Sequence, residues 1–135
     1  TPEDLVVFKY EDEGISTLED GLYTTEANLE DPEMVDKLTR FVRASMKGWK
    51  YAEENPDEAA EIVLENDATG AQTEVHQKRM MGEVAKLTSG SNGALDPADF
   101  ERTVDVLLSA GAEPVITENP GEAAWTHAIT DEALQ

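Results

Sequence analysis

Apolar residues recur every three or four positions over most of the chain after residue 25, the spacing of an amphipathic helix. The clearest stripe runs along residues 35–49, and shorter stripes cover 59–63, 73–87 and 97–110. The first stripe consists of Val35, Leu38, Val42, Met46 and Trp49, with Phe41, Ser45 and Ala52 beside it. Together these patterns predict about five helices.

Two short segments before the helices have a different pattern. The run LVVFKY at residues 5–10 is β-branched and aromatic, and LYTT at 22–25 follows a glycine, so both are predicted as short strands. A lone two-stranded unit is marginal in water. We therefore expect these strands to belong to a sheet whose other members lie outside this chain.

Four segments share the pattern of a helix start, an Asp or Asn followed by Pro. The side chain of such an Asp or Asn accepts a hydrogen bond from a free backbone amide, and Pro suits the first helical position. These four starts are predicted at Asp31-Pro32, Asn55-Pro56, Asp96-Pro97 and Asn119-Pro120. The Gly48–Tyr51 segment before Asn55-Pro56 is predicted to pack its aromatic side chains, Trp49 and Tyr51, in the core.

Composition limits the function more than it limits the fold. The length of 135 residues suits one domain, and 30 acidic against 10 basic residues give a net charge of −20. This charge disfavours nucleic-acid partners and anionic membrane surfaces, since both need clustered Lys and Arg. There is no cysteine, so neither a disulfide nor a thiolate site is expected.

The chain has few signals for catalysis or cofactors. His76 and His127 do not form a metal-ligand spacing, and no phosphate-binding or nucleophile motif is present, so we predict no catalytic residue, metal or cofactor. Trp125 fits either a core position or a ligand platform. No signal peptide or membrane-spanning run is predicted, so the chain is expected to be cytosolic, mature or a fragment.

Several segments of the chain resemble segments of one known protein family. LTRFVRASMKGWKYAEENPDEAAEIVLEN (38–66) resembles the C-terminal part of extracytoplasmic solute-binding proteins of ABC importers, in the branch that includes taurine, sulfonate, nitrate and thiamine-precursor binders. The positions that match are Arg43-Ala44, Lys47-Gly48-Trp49, Tyr51-Ala52 and Asn55 to Ala59. EGISTLEDGLYTTEANLEDPEMV (13–35), GALDPADFERTVDVLLSAG (93–111) and ITDEAL (129–134) resemble other segments of that family in the same order.

The resemblance implies an α/β fold of the periplasmic-binding-protein type II, with two lobes joined by hinge strands. In this chain, mostly α-helical with about five helices after two short strands, residues 1–21 would be the end of the second lobe and the hinge crossing. Residues 22–135 would be the helical part of the first lobe, and the family's N-terminal part would be absent. The segment from Gly48 to Ala59 would then be scaffold.

The implied function is capture of a small organic molecule by hinge closure, with an ABC transporter permease as partner and a periplasmic or extracytoplasmic location. Ligand contacts would come from the crossing segment, at Tyr10, Glu13, Gly14, Ile15 and Asp20. An isolated fragment could form a homo-oligomer. Two alternatives remain: an acidic helical protein-interaction module without a small ligand, and a pyrimidine-precursor-forming enzyme of the same fold.

Overall fold

The computed structural model describes residues 4–109 and 111–135, and this part of the chain contains helices and no β-strand. The α-helices are α1 (Glu26–Glu30), α2 (Pro32–Glu54), α3 (Pro56–Glu65), α4 (Glu74–Thr88), α5 (Pro97–Ser109) and α6 (Ala128–Ala133). Single 3₁₀ turns lie at Tyr10–Glu13 and Glu122–Ala124. The prediction of a mostly helical chain is confirmed.

The two predicted strands, 5–10 and 22–25, are wrong for this chain. Residues 6–9 and 21–25 have no regular secondary structure, and Tyr10 begins a 3₁₀ turn. A strand exists only when its backbone pairs with a neighbouring strand. The described residues offer these segments no such neighbour, so their β-forming side chains do not produce a sheet.

The chain divides into two compact units. Among the described residues, the first comprises 4–24 and 95–126, and the second comprises 25–94 and 127–135. The first contains α5 and both 3₁₀ turns, and the second contains the other five α-helices.

The second unit is built on one face of α2. Val42 of α2 is buried with Ile129 and Ala133 of α6, and the partly buried side chains around them are Leu29, Val35, Leu38, Met46 and Leu134. The predicted stripe is therefore confirmed from Val35 to Met46. Packing along this stripe places α6, the last helix of the chain, against α2.

The predicted core position of Trp49 is wrong. Its side chain is 42% exposed and that of Tyr51 is 39% exposed. The reason is the short length of α6, since the apolar cluster that α6 forms with α2 ends at Met46. The aromatic pair lies beyond that cluster, and the Glu58 carboxylate beside the Tyr51 hydroxyl raises the pKa of that phenol.

The guanidinium of Arg43 on α2 forms hydrogen bonds with α6. Nε donates to the carbonyl oxygen of Ala133 and Nη2 donates to that of Glu132, each at 3.1 Å. These carbonyls lie at the end of α6, where no further turn supplies amide donors. A cation at this end also complements the helix dipole. One of the residues in the resembling motif thus has a structural role.

Three of the four predicted helix starts are confirmed, at Pro32, Pro56 and Pro97. The carboxylates of Asp31 and Asp96 accept amide bonds at 2.9 and 2.8 Å. Asn55 behaves differently, because its side-chain amide donates back to the carbonyl of Tyr51 at 3.0 Å and so caps the end of α2.

The fourth predicted start, Asn119-Pro120, leads into a single 3₁₀ turn rather than an α-helix. The Asn119 side chain accepts the amide of Gly121 at 2.8 Å, which closes a local turn. Trp125 follows, and its ring lies 6.4 Å from that of Phe100 on α5 in a tilted arrangement. This favours a packing role for Trp125.

We expect Thr39→Val to stabilise the protein. Thr39 is 3% exposed, and its hydroxyl oxygen has no hydrogen-bond partner among the described residues. Removing an unsatisfied buried hydroxyl should raise the free energy of unfolding by about 1 kcal/mol in urea titrations. Thr88→Val is the matched control: its hydroxyl bonds Glu53 and Val84, so the change should cost about 0.5–1.5 kcal/mol. A destabilised Thr39→Val protein would contradict this account.

A second pair of substitutions tests the extent of the core. Ile129→Ala should cost about 2–5 kcal/mol, because it opens a cavity between α2 and α6. Trp49→Ala should cost only about 1 kcal/mol, because the indole is already well exposed. Equal losses in chemical unfolding would show that Trp49 belongs to the core after all.

Candidate functional site

Residues 10–20, which contain the predicted ligand contacts and which we call the crossing segment, begin with a tight turn. The 3₁₀ turn Tyr10–Glu13 ends at Gly14, whose φ of 78° is in the left-handed region that favours glycine. The amide of Gly14 donates to the carbonyl of Glu11, and that of Ile15 donates to Tyr10 at 2.9 Å. The turn therefore reverses the chain and brings Ile15 back beside Tyr10.

Helix α5 holds the next part of the segment. The Leu18 amide donates to the Thr103 hydroxyl oxygen at 2.9 Å, and Arg102 Nε donates to the carbonyl of Ser16 at 3.2 Å. Both α5 side chains are positioned by Asp99: its carboxylate pairs with Arg102, and its backbone carbonyl accepts from the Thr103 hydroxyl. A regular helix thus fixes a segment that has no regular structure.

These contacts leave an open depression of about 350 Å³ along the segment. It is lined by Lys9, Tyr10, Glu11, Ile15, Ser16, Thr17 and Glu19. The lining combines a phenol ring, an aliphatic side chain, two hydroxyls, one ammonium and two carboxylates. The lining is more polar than apolar, and the depression is open to solvent.

The structure brings together only part of the predicted site. Tyr10 and Ile15 line the depression, while Glu13 and Gly14 belong to the turn beside it and Asp20 lies further along the segment. The sequence reasoning missed the two hydroxyl side chains, Ser16 and Thr17, as well as Lys9, Glu11 and Glu19. The hydroxyl pair Ser16-Thr17, which follows the Gly14 turn after one residue, was a signal that could have indicated the lining.

The local charge of the depression is negative. Lys9 Nζ lies 3.6 Å from the carboxylate of Glu11, and both side chains are exposed, so this pair is weak. Glu19 supplies a further carboxylate. The depression therefore favours a cationic or amine-bearing group over an anion.

No group of three or more His, Asp or Glu side chains within residues 4–109 and 111–135 is arranged to hold a metal ion. No helix in these ranges combines the length and apolar character needed to cross a bilayer.

Comparison with known proteins gives one family. The family model described as NMT1/THI5 like matches residues 2–59, which include the crossing segment, α1, α2 and the first residues of α3. This match supports a relation to the family of solute-binding proteins. The resemblance in residues 93–111 and 129–134 lies outside the matched part. No curated protein and no solved structure matches the chain.

We expect Thr103→Val to free the crossing segment from α5. The substitution removes the acceptor of the Leu18 amide, a bond worth about 1 kcal/mol, so hydrogen exchange at that amide should accelerate about fivefold. Thr117→Val, at an exposed position, should leave the exchange rate unchanged. Unaltered exchange in Thr103→Val would mean that α5 does not hold the segment.

Proposed function

We propose that this chain is part of the solute-binding component of an ABC import system. The match of residues 2–59 to the NMT1/THI5 like family carries the proposal. The class of solute is inferred from the branch that the sequence resembles. The solute would be a thiamine precursor, a sulfonate or a similar small organic molecule. The protein would bind its ligand rather than transform it.

In this proposal residues 1–21 are the end of the second lobe and the hinge crossing, and residues 22–135 are the helical part of the first lobe. The exposed run Leu5–Phe8 supports this placement. Its four side chains are between 70% and 81% exposed, and these residues make no hydrogen bond within the described part of the chain. A run that is apolar on both faces is typical of a strand buried in an α/β sheet.

The ligand would be held at the crossing segment. Tyr10 would offer a ring face, Ile15 an apolar contact, and the hydroxyls of Ser16 and Thr17 hydrogen bonds. Glu13 and Asp20 would approach from the flanks when the lobes close. Because carboxylates dominate this segment, an amine-bearing solute fits better than a sulfonate, whose burial beside an unpaired carboxylate would be costly.

The mechanism would be a shift between open and closed states. A solute stabilises the closed state only by as much as it binds that state better than the open one. The crossing segment is suited to this, because α5 anchors it through Arg102 and Thr103 while the Gly14 turn remains exposed. The partner would be an ABC permease, and the location extracytoplasmic.

The alternative is an acidic helical module that binds another protein and no small ligand. Large apolar side chains are exposed on several elements, for example Val75 and Leu87, each at 83%. Together with the charge of −20, these favour a basic protein partner. Capture of such a partner at moderate salt, without any solute binding, would support this alternative.

Calorimetric titration separates the two functions. The probes are the pyrimidine precursor of thiamine, taurine and nitrate, tested on the 135-residue chain and on the protein with both lobes. We expect one probe to bind the two-lobed protein and to bind the chain alone weakly or not at all. Tyr10→Ala should weaken binding at least about tenfold, the loss of one good aromatic contact.

The control is Val75→Ser, which changes an exposed side chain on α4 and should leave affinity unchanged. Failure of every probe to bind the two-lobed protein would reject the transport proposal. Binding that survives Tyr10→Ala would reject the assignment of the ligand contacts to the crossing segment.

A further inference from the structure

Asn92 is followed by Gly93 in the loop between α4 and α5, and this pair has a specific reactivity. The backbone nitrogen of the residue after an asparagine can attack the carbonyl carbon of the asparagine side chain and form a succinimide ring. A side chain on that following residue hinders the attack, and glycine has none. The chain has five asparagines, at positions 28, 55, 66, 92 and 119, and only Asn92 precedes a glycine.

Hydrogen bonds in the loop hold the two reacting groups close together. The side-chain oxygen Oδ1 of Asn92 accepts the amide of Ala94 at 3.0 Å, which folds the side chain back over the backbone of Gly93. The Ala94 amide therefore points at the oxygen on which negative charge develops during the attack. The Gly93 amide donates to the Ser91 hydroxyl oxygen at 3.1 Å. Residues 91–93 are exposed, so water can take up the proton that the Gly93 nitrogen must release.

The other four asparagines lack this arrangement. Asn55 and Asn119 precede proline, whose nitrogen has no proton to lose. Asn119 is a matched comparison, because its Oδ1 accepts the amide of Gly121 at 2.8 Å in the same type of turn. The side-chain amide of Asn66 donates to a carbonyl of α3 at 2.8 Å, which turns it back toward that helix, and Asn28 lies within α1.

Packing within the second unit requires glycine at position 93. Its φ of 80° is in the left-handed region, and a Cβ atom placed there would overlap the thioether of Met46 on α2. Met46 in turn packs against the buried cluster that joins α2 and α6. A less reactive residue after Asn92 would therefore disturb this contact. A change in the backbone at Asn92 would act on Met46 in the same way.

We propose that Asn92 is a site of spontaneous deamidation that produces isoaspartate in the folded protein. The Gly93 nitrogen bonds to Cγ of Asn92, the Cγ–Nδ2 bond breaks, and Nδ2 leaves as ammonia with the proton that Gly93 has lost. Water then opens the ring. Its attack at Cγ gives aspartate, and its attack at the backbone carbonyl carbon gives isoaspartate, in which the chain runs through the former side chain. The backbone beside Met46 becomes longer by one methylene group, about 1.5 Å.

Mass analysis of the aged protein tests the reaction. Trypsin cleaves after Lys86 and Arg102, so Asn92 and Asn119 fall in different peptides. After incubation of the folded chain at mildly alkaline pH, the peptide 87–102 should gain the mass difference between an amide and an acid, and it should separate into aspartate and isoaspartate forms. The peptide with Asn119 should remain unchanged, and fresh protein digested in parallel is the blank. No conversion at Asn92, or equal conversion at both asparagines, would overturn the proposal.

The melting temperature of the converted protein tests the effect on Met46. The isoaspartate form should melt about 2–5 °C below the native protein, because the longer backbone displaces Gly93 from its contact. Asn92→Asp is the matched control: it adds the same charge, keeps the backbone length and retains an acceptor for the Ala94 amide, so it should melt like the native protein. Equal losses in the two proteins would assign the effect to charge and overturn the link to Met46.

Substitution of the glycine tests the attacking nitrogen. Gly93→Ala should slow the conversion at least about tenfold, because the added methyl group hinders the attack. It should also lower the melting temperature more than Gly90→Ala does. Both glycines have a left-handed φ, 80° and 81°, but only at Gly93 would a Cβ atom meet Met46. Gly90→Ala should leave the conversion of Asn92 unchanged. Conversion in Gly93→Ala as fast as in the native protein would overturn ring closure at this nitrogen.

Discussion

The packing of α6 on α2 is the contact on which the second unit depends. A helix of six residues has no stability of its own in water, because nucleation costs more than so few hydrogen bonds return. Burial of Ile129 and Ala133 against Val42 provides the missing free energy. The guanidinium of Arg43 then satisfies the carbonyls at the end of α6. Since α1, α3 and α4 also contact α2, the whole unit is arranged around this one helix.

The two sides of α2 consequently have different roles. One side packs against α6 and the core, while Lys37, Arg40, Phe41 and Lys47 are exposed. A basic helix face is unusual in a chain with a net charge of −20.

In contrast to α2, the crossing segment has almost no regular secondary structure. Its conformation comes from one glycine turn and two side chains of α5. Such a segment can move without disturbing a core, which suits a hinge between two lobes. The same segment has the carboxylates and hydroxyls that would select an amine-bearing solute. Position and chemistry therefore point to the same proposed function.

The sequence by itself determined the helices, because helical spacing and Asp-Pro starts act over a few residues. The stripe Val35–Met46 and the caps at Asp31 and Asp96 are examples. Local sequence could not decide whether residues 5–10 form a strand, since a strand needs a partner that only tertiary structure supplies. The exposure of Trp49 was likewise decided by where α6 ends. The placement of the Ser16 and Thr17 hydroxyls in the depression depends on the hydrogen bonds from α5 to the crossing segment, which local sequence does not reveal.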